Sequence, residues 1–216
     1  MPPQKGRTAT GMMPPTDPAA WQPPVGTRGL IFDCDGTLAD TMPAHFRAWT
    51  AMLGRHGIPF TETRFYELGG MPTAKIIRLL SAECGVPVDD VEAMVAEKET
   101  AFLANLHAIR PLGPVVTIAA AFRGRLPMAV ASGGYRETIT RTLDQLGIRD
   151  WFAAMVVAED TPRHKPEPDV FLEAARRLAL PAEVCVVFED TDIGLEAARR
   201  AGMASVDVRA WVGRGQ

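Results

Sequence analysis

Apolar residues along the chain follow two alternating patterns. Short, mainly apolar runs sit at 30–33, 127–131, 154–158, 184–188 and 205–208, the first ending in Asp33 and the last including Ser205 and Asp207, and longer stretches with apolar positions three or four apart separate most of them. Runs without polar alternation predict strands buried on both faces. They imply a parallel sheet covered by helices at 113–124, 135–146, 168–180 and 193–201. Between the first run and the second, the regularity changes. Residues 42–110 carry only helical periodicity, in stretches 43–57, 62–68, 73–84 and 88–107, with Phe46, Trp49 and Leu53 marking the first stripe. Gly85-Val86-Pro87 provides a stop and a start between two of these helices. The expected architecture is α/β: a doubly wound (Rossmann-like) parallel-sheet core, residues 29–41 and 111–216, with a small α-helical domain inserted at 42–110. Ligands of such a sheet belong at the carboxyl ends of its strands.

Residues 1–28 show neither period. They are rich in Pro, with Pro2-Pro3, Pro14-Pro15, Pro18 and Pro23-Pro24, and are expected to form a disordered tail. Trp21 either pins the end of that tail to the domain or stands exposed in it, and the sequence leaves both open.

Composition narrows the function classes. A chain of 216 residues accommodates one α/β domain with a modest insertion. Net charge is −3 with no basic block, which favours neither nucleic acid nor an anionic membrane surface. The longest apolar window, 112–122, is far short of the ~20 residues of a membrane span, and no secretory leader pattern opens the chain. Cys34, Cys84 and Cys185 are widely spaced and odd in number, so they are expected as reduced core residues of a cytoplasmic protein.

The candidate chemistry follows the strands. The run 30–33 ends in Asp33, and Asp35 two residues on points the same way, with Cys34 turned into the packing. Two carboxylates on one side are costly unless a cation or proton lies between them. Gly36 then permits a sharp turn. A calcium loop of the EF-hand type is excluded, because it wants Gly sixth and Glu twelfth, whereas Gly36 is fourth and Ala44 twelfth. After the second run, Ser132-Gly133-Gly134 offers a hydroxyl and glycine N–H groups, a natural phosphate cradle. Lys165 lies in a Pro-rich loop before a helix. Glu189 and Asp190 follow the fourth run, and Thr191 or Asp192 suits a helix N-cap.

Asp33-Cys34-Asp35-Gly36-Thr37-Leu38 with Asp40, Lys165-Pro166, and Glu189-Asp190 together resemble the motifs of the haloacid dehalogenase (HAD) superfamily of phosphotransferases. The stretch Asp40-Thr41-Met42-Pro43-Ala44-His45-Phe46-Arg47-Ala48-Trp49 is similar to its β-phosphoglucomutase-like subfamily, and closest to the sugar-phosphate phosphatases within it. The resemblance implies Asp33 as nucleophile, Asp35 as acid and base, and Lys165 holding both the nucleophile and the transferring phosphoryl group. It implies Mg²⁺ on Asp33, Asp190 and the Asp35 carbonyl, with Glu189 a direct or water-mediated ligand. Ser132, Gly133, Gly36 and Thr37 are expected at the phosphate, and His45 and Arg47 at the substrate. The insertion is expected to act as a cap hinged at residues 41–43 and 110–111.

The implied activity is hydrolysis of a small phosphorylated sugar or related metabolite through an aspartyl-phosphate, by a monomer. The rival is a β-phosphoglucomutase, converting β-glucose 1-phosphate to glucose 6-phosphate. Mutases of the subfamily carry an arginine where this chain has Thr73, and Lys75 and Arg78 are the nearby substitutes. A receiver-type phospho-acceptor would lack the long insertion and Asp35. A dehalogenase would need neither Asp35 nor a magnesium site.

Overall fold

The computed structural model of the protein describes residues 11–12 and 15–213. Six strands form one parallel sheet: β1 (Gly11–Met12), β2 (Gly29–Phe32), β3 (Met128–Ala131), β4 (Ala154–Val156), β5 (Cys185–Glu189) and β6 (Ala204–Asp207). Their order across the sheet is β1-β6-β5-β2-β3-β4. Every residue of β2, β3 and β5 is buried, as unbroken apolar runs require. Alternation divides them between two cores. Leu30, Phe32, Val186 and Phe188 pack on one face, and Ile31, Cys185 and Val187 on the other.

Helices α1 (Met42–Arg55), α2 (Glu62–Glu67), α3 (Thr73–Cys84) and α4 (Val91–Leu103) form the insertion between β2 and β3. They enclose their own core of Trp49, Met52, Leu53, Phe65, Ile77 and Met94. The α4 helix begins three residues later than its pattern predicts, because the Asp90 carboxylate caps the Ala93 N–H. Helices α5 (Gly113–Phe122), α6 (Arg136–Gln145), α7 (Asp169–Arg177) and α8 (Asp192–Arg200) cover the sheet, and α9 (Arg209–Val212) adds a short turn that the pattern does not announce.

Two expectations need correction. Of the tail expected to be disordered, residues 1–10, 13 and 14 lie outside the described residues, but the rest is part of the fold. β1 pairs with β6, and Trp21 is 3% exposed, with its ring edge-on to Phe122 and Phe188 at centroid distances of 5.8 and 4.9 Å. Prolines remove periodicity without preventing one large ring from burying its area. Secondly, Cys34 and Cys185 are buried but Cys84 is exposed at the last turn of α3. No helix among the described residues is long and apolar enough to cross a membrane.

Trp21→Ala is expected to destabilise the protein by about 3–5 kcal/mol, the cost of emptying a packed aromatic site. Denaturant unfolding measures this, and a loss below about 1 kcal/mol would show that the segment adds little to the core.

Candidate active site

Register places the first two carboxylates. Phe32 of β2 lies beside Phe188 of β5, so Asp33 and Glu189 emerge together at the carboxyl end of the sheet. The loop before α7 brings Lys165 between them. Its ammonium donates to Asp33 Oδ1 and to Glu189 Oε2, each at 2.7 Å. All three residues are at most 5% exposed. Burial pushes the Asp33 carboxyl well above its ordinary pKa; Lys165 opposes this, and Glu189, Asp190 and Asp35 add to it. For Lys165, burial alone would favour the neutral amine, but Asp33 and Glu189 more than reverse it and raise its pKa.

Glu189 is fixed at its other oxygen as well. Oε1 accepts from the Asp190 and Thr191 N–H groups at 3.2 and 3.0 Å and from the Thr191 hydroxyl at 2.6 Å. Thr191 is the N-cap of α8, where its hydroxyl also accepts from Gly194 N–H. Gly194 is needed for this approach: a Cβ there would stand 2.1 Å from Glu189 Cδ. Glu189, expected as a metal ligand, thus has both oxygens engaged by Lys165 and the turn. Asp190 Oδ1 accepts from the Thr37 hydroxyl at 3.3 Å. Carboxylate oxygens of Asp33, Glu189 and Asp190 all lie within 4.8 Å of one another. Three buried carboxylates around one ammonium, offering hard oxygen donors, suit a divalent cation such as Mg²⁺.

Gly36, at φ 84°, turns the chain out of the strand end, and its N–H donates to Ala39 O. Asp35 then faces the insertion, where His45 Nε2 lies 3.2 Å from its Oδ1. His45 stacks on Phe102 at 4.0 Å and 10°. Burial, and after it Lys98, lowers the His45 pKa, while Asp35 opposes the shift. Burial raises Asp35, but His45, the Thr41 hydroxyl and Lys98 outweigh it and hold the carboxyl below its ordinary value.

Both parts of the chain line one cavity. Asp33, Asp35, Ser132, Gly133, Lys165 and Glu189 form its floor, and the insertion adds His45 and a largely apolar roof. The Ser132 hydroxyl accepts from Gly134 N–H at 3.0 Å. Three residues expected at the phosphate or the substrate stand outside the cavity lining. Gly36 and Thr37 are buried outside the cavity lining, their groups used in the turn and on Asp190. Arg47 is exposed, because two residues beyond His45 on α1 is the far side of the helix. Lys75 and Arg78 are exposed too, whereas Thr73 lines the cavity.

The sequence reading missed Lys98, Glu99 and Thr138, all cavity residues. Lys98 Nζ donates to Glu99 Oε1 at 2.9 Å and stands 5.7 Å from the Trp49 and Phe102 ring centroids. The Thr138 hydroxyl of α6 donates to Glu99 Oε2 at 2.7 Å, joining insertion to core. The available signal was spacing: Met94, Lys98 and Phe102 recur every four residues on the buried stripe of α4.

Residues 27–202 match the family model of haloacid dehalogenase-like hydrolases. The chain is 41% identical over 182 residues to the fructose-1-phosphate phosphatase YqaB of Escherichia coli (strain K12), covering 84% of this chain and 96% of that protein. A crystal structure of a hydrolase from Pseudomonas syringae superposes with a TM-score of 0.76 at 28% identity, covering 86% of each chain. β-Phosphoglucomutase from Clostridium difficile gives the same TM-score over 84% of each chain at 22% identity, a likeness of fold.

Lys165→Met should expose the cost of the buried carboxylates. A group whose folded pKa is raised, as for Asp33, favours the folded state fully below its unfolded pKa and loses that contribution as pH rises through the folded one. Removing the ammonium raises Asp33 further. The variant's deficit, about 3–5 kcal/mol near pH 8, is therefore expected to shrink towards about pH 5. Urea unfolding across that range tests it, and a deficit independent of pH would mean the loss is one of packing alone.

Proposed function

The chain belongs to the haloacid dehalogenase-like hydrolases, and on that premise we propose that it is a Mg²⁺-dependent phosphatase of a small phosphorylated sugar or related metabolite. The observation that carries this reading is the Lys165 ammonium shared between Asp33 and Glu189, with Asp35 hydrogen-bonded to His45 in the same cavity. The fructose-1-phosphate phosphatase relative supports the substrate class.

Asp33 and Asp190, with the Asp35 carbonyl, would hold the metal. When bound, Mg²⁺ offsets the repulsion between a carboxylate and phosphoryl oxygens. Lys165 holds Asp33 through Oδ1, orienting the other oxygen for in-line attack on phosphorus. The Ser132 hydroxyl and Gly133 N–H receive phosphoryl oxygens. The bond from phosphorus to the ester oxygen breaks as Asp33 becomes an acyl phosphate, and Asp35 gives its proton to the departing alkoxide. The Asp35 carboxyl, held below its ordinary value without substrate, takes up a proton from water as the arriving phosphate's negative charge favours its protonated form. In the second half Asp35 recovers a proton from water, whose oxygen attacks phosphorus and frees Asp33. The insertion acts as a cap that keeps bulk water from the acyl phosphate.

The mutase alternative requires a cap cation available to a second phosphate. Thr73 carries no charge, Lys75 and Arg78 face solvent, and Lys98 is already paired with Glu99. That balance favours hydrolysis.

Phosphate release from a panel of sugar phosphates should require Mg²⁺, stop with EDTA, and fall at least about 10³-fold in Asp33→Asn. Full activity in Asp33→Asn would overturn the assignment. Conversion of β-glucose 1-phosphate to glucose 6-phosphate without phosphate release would establish the mutase instead.

A further inference from the structure

Resting on the phosphatase reading, we propose that Glu99 is a specificity-determining residue: it selects phosphomonoesters whose far end is an uncharged polyol and rejects those ending in a carboxylate or second phosphate. The roof of the cavity is apolar at Met42, Trp49, Phe65, Leu68 and Ile76, and its charge is concentrated in Lys98 and Glu99. Those two side chains are 5% and 15% exposed and paired at 2.9 Å. Without Glu99, Lys98 would present an uncompensated ammonium in apolar surroundings, a receptor for an anion. With it, the roof carries no net charge.

Glu99 cannot swing aside to admit an anion. Its Oε2 is held by the Thr138 hydroxyl at 2.7 Å from the core side, and Oε1 by Lys98, with the Thr73 hydroxyl at 3.5 Å. A substrate hydroxyl suits this pair in both directions, donating to the carboxylate and accepting from the ammonium's remaining donors. A carboxylate tail would shed its hydration and then meet a fixed like charge. Selection is therefore by rejection of the charged tail.

Glucitol 6-phosphate, a hexitol phosphate, and 6-phosphogluconate form a matched test, since they differ only at carbon 1, an alcohol in one and a carboxylate in the other. The wild type is expected to favour the hexitol phosphate by about 10-fold or more in kcat/KM. Glu99→Gln keeps an acceptor for Thr138 but frees Lys98, and should cut that preference about 10-fold, chiefly through a lower KM for 6-phosphogluconate. Lys98→Gln leaves Glu99 uncompensated and should widen the preference, so opposite signs are read even if one variant folds poorly. The same ratio, taken as dissociation constants for Asp33→Asn by calorimetry, needs no turnover. Absent hydrolysis would thus sink the phosphatase reading while the binding ratio still judges Glu99. Equal handling of the two probes by the wild type, or a ratio unmoved by Glu99→Gln, overturns the proposal.

Discussion

The ammonium of Lys165, shared between two carboxylates that water scarcely reaches, is the interaction on which the rest of the molecule depends. Like charges at the ends of adjacent buried strands would drive those ends apart or force protonation. The ammonium makes the register of β2 against β5 tolerable at its last residues, and the sheet in turn makes the position of the ammonium fixed. Supporting contacts radiate from this point. Thr191 and the backbone around it hold Glu189, and a glycine at 194 lets the side chain lie flat against α8. The carboxylate excess left over is what gives the place its appetite for a cation.

The floor and the roof of the cavity come from parts of the chain with separate hydrophobic cores. Such a division leaves the carboxylates and Lys165 on the sheet side of the cavity while the roof side chains belong to the helices of the insertion. Where the two meet, polar contacts cross: His45 to Asp35, and Glu99 to Thr138. Each crossing contact ties a side chain of the insertion to one of the core within hydrogen-bonding reach.

Much of this was legible in the sequence, because unbroken apolar runs mark strand ends and Asp33, Asp35, Ser132, Lys165 and Glu189 all stand just beyond or between them. What failed had physical reasons. Arg47 shares a motif with His45 but not its helical phase, so proximity in sequence put it on the wrong side. Lys98 sits in the run Glu97-Lys98-Glu99, which reads as a solvated face until its place on the Met94–Phe102 stripe is noticed. That Glu189 is also held by Lys165 and the Thr191 turn is a matter of three-dimensional distance that no local pattern encodes. Trp21 was ambiguous because a Pro-rich context describes backbone habit and says nothing of one ring's destination.

The two residues of β1 have an effect out of proportion to their length. Without them β6 would be the margin of a parallel sheet, its outward N–H and C=O groups open to any extended peptide. A short strand from the chain's own start shields part of that margin, at Ser205 and Val206, and is itself too brief to template a further partner. Shielding of this kind narrows the edge open to edge-to-edge pairing, so the segment ahead of β2 closes the sheet as well as packing against it.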